Sequence, residues 1–146
     1  MRVAVDANTV ISGLLFPGNE RRLLVEAVTG SVDLVLAEDI VEEVFEVIER
    51  RFGEHAAIAG AIALLGDLLT TFIPIPRGTY HHAVASWALR MRDPDDAPVV
   101  ACAVEVGAQY LVSGDEDVLV LQKAGSVDVC RTRHVLAALD RARTIT

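Results

Sequence analysis

The chain has 146 residues, 52% of them hydrophobic, and a formal net charge of −8. That is enough apolar material for one core in a single domain, 1–146, and it excludes a disordered chain. The acidic balance counts against a protein that coats nucleic acid through an extended basic surface.

Residues 2–5 (RVAV) read as a short apolar strand ending at Asp6. Asp6 interrupts the stretch that a signal sequence would keep apolar, and no run approaches the roughly 18 apolar residues of a membrane span. The expectation is a cytoplasmic protein with no membrane attachment. Residues 8–16 read as a helix broken by Pro17-Gly18, and a second helix covers about 19–29 with Gly30 as its cap. Residues 32–36 (VDLVL) form a strand, followed by a helix over 37–52 and an Ala- and Leu-rich helix over 55–71. FIPI, 72–75, is predicted as a short edge strand because Pro74 and Pro76 cannot donate to a ladder. A helix over 79–91 leads to the break RDPDDAP and a further helix over 96–107. A strand at 109–113, the turn GDED, a short helical piece followed by Lys123, a weak strand at 127–130 and a helix from about 132 complete the order. The alternation predicts a three-layer α/β/α sandwich with a mainly parallel central sheet. Cys102 and Cys130 lie in apolar surroundings without metal-ligand spacing and are expected as free, buried thiols.

The informative feature is where the carboxylates fall. Asp6 and Asp115 each follow the carboxyl end of a strand, where open parallel sheets bind ligands. If those strands are neighbours, the two acids meet in one crevice. Pro98 belongs to the first turn of its helix, which makes Asp95 or Asp96 the N-cap. Asp96 then shares a face with Val99, Val100, Ala103 and Gly107 and points to the buried side. Capping and dipole complementation are the better account of Asp95, an even alternative for Asp93 and the lesser one for Asp96. In the helix EEVFEVIERR, Glu43 lies at the edge of the apolar arc and can lean over the rim of the sheet, whereas Glu46 and Glu49 face solvent. Carboxylates gathered in one crevice repel unless cations sit between them, and hard oxygen donors suit Mg²⁺ or Mn²⁺. The chemistry this enables is in-line attack of an activated water on a phosphodiester.

VAVDANTVISGLL, IVEEVFEVI and the block RDPDDAPVVACAVEVGAQYLVSGDEDVL, in that order, resemble the PIN-domain family, in particular its branch of toxins from toxin–antitoxin pairs. The resemblance spans nearly the whole chain. It implies catalytic acids at Asp6, Glu43, Asp96 and Asp115, with Asp117 as an extra metal ligand beside Asp6, Asp96 and Asp115. Asn8 and Ser113 match positions that orient the first acid, and Asp93 stands as a supporting acid. It implies Mg²⁺- or Mn²⁺-dependent cleavage of single-stranded RNA and a partner antitoxin. Family members often pair, and with so apolar a short chain a homodimer is expected. The alternative is a non-catalytic PIN fold that only binds a partner. A phosphoryl-aspartate phosphatase or receiver domain fits less well, since position 8 is Asn and Lys123 follows a run predicted helical. The four histidines share no spacing with the acids, and Trp87, Tyr80 and Tyr110 read as packing residues. Arg21, Arg22, Arg50, Arg51, Arg90 and Arg92 are candidate phosphate or partner contacts, each equally at home as a surface charge.

Overall fold

A computed structural model describes residues 1–145. Its strands are β1 (Arg2–Val5), β2 (Asp33–Val35), β3 (Tyr110–Val112), β4 (Lys123–Ala124) and β5 (Val127–Cys130). They form one five-stranded sheet in the order β2-β1-β3-β5-β4. All pairings are parallel except β4 with β5. Val3, Ala4 and Val5 of β1 and Leu111 and Val112 of β3 are at most 1% exposed, as expected of central strands covered on both faces.

The helices are α1 (Ala7–Leu15), α2 (Asn19–Val28), α3 (Glu38–Phe52), α4 (Ile58–Thr71), α5 (Arg77–Ala88), α6 (Ala97–Glu105), α7 (Glu116–Leu119) and α8 (Thr132–Ile145). Right-handed crossovers send β1-α1-α2-β2 over one face and bring α6, at the end of the long β2-to-β3 connection, onto the other, while α3 and α4 of that connection pack against α1. Accordingly α2 packs on α1 and α8, α8 reaches β3, and α6 lies on β1 and β3 with α5 outside it. The result is the α/β/α sandwich that the alternation of elements predicts. Among the described residues no helix is long and apolar enough to cross a membrane.

Two local features set the geometry of the first crossover. After α1 the chain turns at Pro17-Gly18, with Gly18 at φ 138°, a conformation open to glycine. Gly13 lets α2 come close, since a Cβ there would stand 2.9 Å from the backbone of Glu20. This approach brings Glu20 back toward the end of β1.

The edge of the sheet differs from expectation. Residues 72–75 form no strand: Ile75 alone bridges to Ala37, donating to the Leu36 carbonyl at 2.8 Å and accepting from Glu38 N at 2.9 Å. Its neighbours Pro74 and Pro76 lack N–H groups, so the ladder cannot extend. On that side β2 is the edge strand, and the opposite edge is β4, a two-residue strand that folds back on β5 around Gly125 at φ 60°. Lys123 therefore lies in a strand, paired with Asp128 across the ladder at 3.2 Å.

Candidate functional site

The parallel register fixes which residues leave the sheet together. Val5 is opposite Val112, and Val112 is opposite Cys130. Asp6, Ser113 and Arg131 therefore emerge side by side at the carboxyl ends of β1, β3 and β5. Asp6 N donates to the Val112 carbonyl at 3.3 Å, and Ser113 N to the Cys130 carbonyl at 3.0 Å.

Asp6 is the N-cap of α1, its Oδ1 accepting from Thr9 N at 2.9 Å. Its Oδ2 accepts from the Ser113 hydroxyl, which is 1% exposed. The same hydroxyl accepts from Asp115 N at 3.0 Å. A buried serine thus ties the first and last acids to each other. Asp115 caps α7, with Oδ1 accepting from Asp117 N at 2.9 Å. Capping and site placement coincide here: one oxygen of each carboxylate steadies a helix start, and the site inherits the fixed side chain.

Asp96 differs. It ends a 3₁₀ turn, Pro94–Asp96, whose own cap is Asp93, accepting from Asp95 N at 3.0 Å. Asp96 then stands at the N-cap of α6 without making a side-chain cap bond, and its Oδ2 is buried with no hydrogen-bond partner among the described residues. Burial pushes its carboxyl up to about 7, with further upward pressure from Asp115, Asp93, Asp6 and Asp117. Glu43 is exposed on α3, but the protein wall beside it raises its carboxyl, helped by Asp6, Glu46 and Asp95. Asp117 pairs with Arg92 at 3.6 Å.

The structure puts Asp96 in the fields of Asp115, Asp93, Asp6 and Asp117, and Glu43 in that of Asp6, at one end of the sheet. Asn8 is exposed and makes no side-chain hydrogen bond to Asp6; the Thr9 backbone takes that oxygen instead. As placed, no three His, Cys, Asp or Glu side chains among the described residues converge on a single ion position. The donor chemistry nevertheless fits a divalent cation. A buried carboxylate oxygen without a partner is costly, and a positive ion beside Asp96 would offset both its burial and the pressure of the neighbouring acids.

Asn8, Thr9, Ser12, Glu20, Gly114 and Asp115 line an open cleft of about 390 Å³. Glu20 was not singled out from the sequence. It is one of several acids near a helix start, and only the close approach at Gly13 distinguishes it. A family profile described as "PIN domain" matches residues 2–117. No curated protein matches the chain.

Proposed function

The chain belongs to the PIN-domain family, whose members are generally nucleases, and on that premise we propose that it is a Mg²⁺- or Mn²⁺-dependent endoribonuclease that cuts single-stranded RNA. The observation that supports this reading most is Asp96: a buried carboxylate oxygen with no partner, amid four other aspartates, on a helix that could have used it as a cap. Such an arrangement costs stability and has no structural return unless a cation completes it.

Asp6, Asp96 and Asp115 would hold the cation, with Asp117 joining once Arg92 releases it. When bound, the ion polarises the phosphodiester and lowers the pKa of a water. Ser113 fixes the rotation of Asp6 and, through Asp115 N, its distance from the last acid. Glu43, with its raised carboxyl, is suited to accept a proton from the attacking water at a carboxylate oxygen. The polar cleft of Asn8, Thr9, Ser12 and Glu20 offers hydrogen bonds to the RNA on one side of the acids.

On the same reading the protein is the toxin of a toxin–antitoxin pair, kept inactive by an antitoxin, and forms a homodimer. Phe45 and Ile62 are 50% and 59% exposed. They border an apolar groove between α3 and α4 lined also by Ile48, Ile58, Leu65 and Leu69, which supports pairing of two copies.

Purified protein incubated with labelled single-stranded RNA tests the central claim. Cleavage should require Mg²⁺ or Mn²⁺, stop with EDTA, and be absent in Asp6→Asn. A folded protein that cuts no RNA with either ion would hand the fold to the non-catalytic, partner-binding alternative.

A further inference from the structure

We infer that the recess next to the acid cleft is a nucleotide subsite, in which the first turn of α8 holds an RNA phosphate adjacent to the scissile one and Glu20 accepts a hydrogen bond from the ribose 2′-hydroxyl. The inference rests on the nuclease reading and deepens it.

The recess, about 120 Å³, is lined by Glu20, Ser113, Gly114, Arg131, Thr132 and Arg133, together with Asn19. Glu20 and Gly114 also line the acid cleft, so the two spaces are continuous. Its far wall is built by topology: β5 ends opposite β3, and α8 starts two residues later at the edge where the acids emerge. α8 spans 14 residues, so its start carries the positive end of a full helix dipole. His134 N is bonded to the Arg131 carbonyl at 3.0 Å, whereas the N–H groups of Thr132 and Arg133 have no partner among the described residues.

Thr132 supplies an independent observation: an unpartnered polar side chain on a nearly buried residue facing the recess. It is 5% exposed, yet its hydroxyl makes no hydrogen bond to any described residue, and the residue lines the recess. The hydroxyl oxygen is not itself sealed off, since Asp96 Oδ2 is the buried oxygen without a partner among the described residues; it opens to the recess that the residue lines, and beside two free N–H groups it suits a phosphate oxygen. Arg133 adds an exposed guanidinium with no acidic partner among the described residues, while Arg131 is tied to Glu116.

Glu20 would repel a phosphate that touched it. It sits where the two spaces join, between the acids and the α8 start. The group that lies between consecutive phosphates of a strand is the sugar. A ribose offers a hydroxyl donor there and a deoxyribose does not. The carboxylate that is misplaced for an anion is well placed to favour RNA over DNA.

The test is fluorescence anisotropy of a short single-stranded RNA and its DNA counterpart. Ca²⁺ replaces Mg²⁺, so that binding is read apart from cleavage. Arg133→Gln should weaken RNA binding about three- to tenfold and lower the salt slope by about one. Thr132→Val, which keeps the shape, should weaken it in the same direction. Arg141→Gln, more than two turns along α8, serves as the control and should change nothing. Glu20→Ala should shrink the preference for RNA over DNA without weakening DNA binding. Equal effects of Arg133→Gln and Arg141→Gln, or equal loss of RNA and DNA binding in Glu20→Ala, would overturn the subsite while leaving the nuclease reading intact. A wild type that neither binds RNA in Ca²⁺ nor cuts it in Mg²⁺ brings down both.

Discussion

Replacing Asp96 by Asn removes one charge from the crowded crevice and keeps the side chain's outline. Its carboxyl titrates near 7 in the folded protein against 3.8 for a solvated one, chiefly because it is buried. The folded state therefore holds this proton more tightly than the unfolded chain. The stability from Asp96 is complete below about pH 4 and is lost as pH rises toward 7. About two units of that window lie between pH 5 and pH 8, and each unit is worth about 1.4 kcal/mol, so the wild type loses at most about 3 kcal/mol from this group. Asparagine has no such dependence. Its pH-independent cost, an extra buried N–H to satisfy, appears equally at both pH values and cancels in the difference. Melting curves in EDTA should show the variant gaining on the wild type between pH 5 and pH 8 by up to about 10 °C, at roughly 2–4 °C per kcal/mol for a domain of this size. Adding Mg²⁺ at pH 8 should stabilise the wild type, by about 2.7 kcal/mol at a hundred times its Kd, and the variant less. A melting difference that is the same at both pH values, or smaller at pH 8, would refute the reasoning. It would mean that ionised Asp96 is already well satisfied, and the case for a cation would lose its main support.

Asp6→Asn should abolish RNA cleavage and leave the fold intact, since an amide oxygen can still cap α1 through Thr9 N. In EDTA it should melt higher than the wild type, because Asp6 presses on both Asp96 and Glu43; a lower melting point would assign Asp6 a purely structural role. Ser113→Ala strands Asp115 N and one oxygen of Asp6 in a partly buried site. It should cost about 1–3 kcal/mol by chemical denaturation and slow cleavage as well, whereas unchanged kinetics would remove Ser113 from the site. Light scattering at high micromolar concentration should give twice the monomer mass, and Phe45→Glu in the α3–α4 groove should return it to one; a monomeric wild type would end the dimer proposal.

The sheet's parallel strands were readable because β1 and β3 are short, continuous apolar runs that stop at a polar residue, Asp6 and Ser113. The helices were readable from their period. Asp96 could be placed because Pro98 fits only the first turn of a helix. FIPI misled for a physical reason: an apolar, extended segment is not a strand when its neighbours along the chain are prolines, and one bridge at Ile75 is all it can make. The two residues of β4 carry no periodic signal, and a hairpin held by Gly125 decides them. The remainder needed the third dimension. Glu20 reaches the cleft only because α1 and α2 touch at Gly13. Thr132 and Arg133 matter only because β5 pairs with β3. Nothing in either local sequence distinguishes these residues from ordinary helix starts.

The acidity of the chain and its proposed RNA substrate are compatible once charge is followed locally rather than summed. Two of the acids nearest the site are already matched. Arg131 pairs with Glu116 and Arg92 with Asp117, neighbours at the start of α7. Both arginines hold exposed carboxylates, and exposed ion pairs are weak enough to exchange for a better partner. A phosphate approaching with a divalent cation is such a partner on both counts. On the proposed function, a bound cation would compete for Asp117, and a phosphate would offer Arg92 a bidentate site in exchange. Before substrate arrives, the same pairs keep the two guanidiniums folded onto α7. The chain therefore presents little basic surface there before substrate arrives, and on the proposed function its attraction for a backbone would be confined to the end of the sheet where the acids emerge.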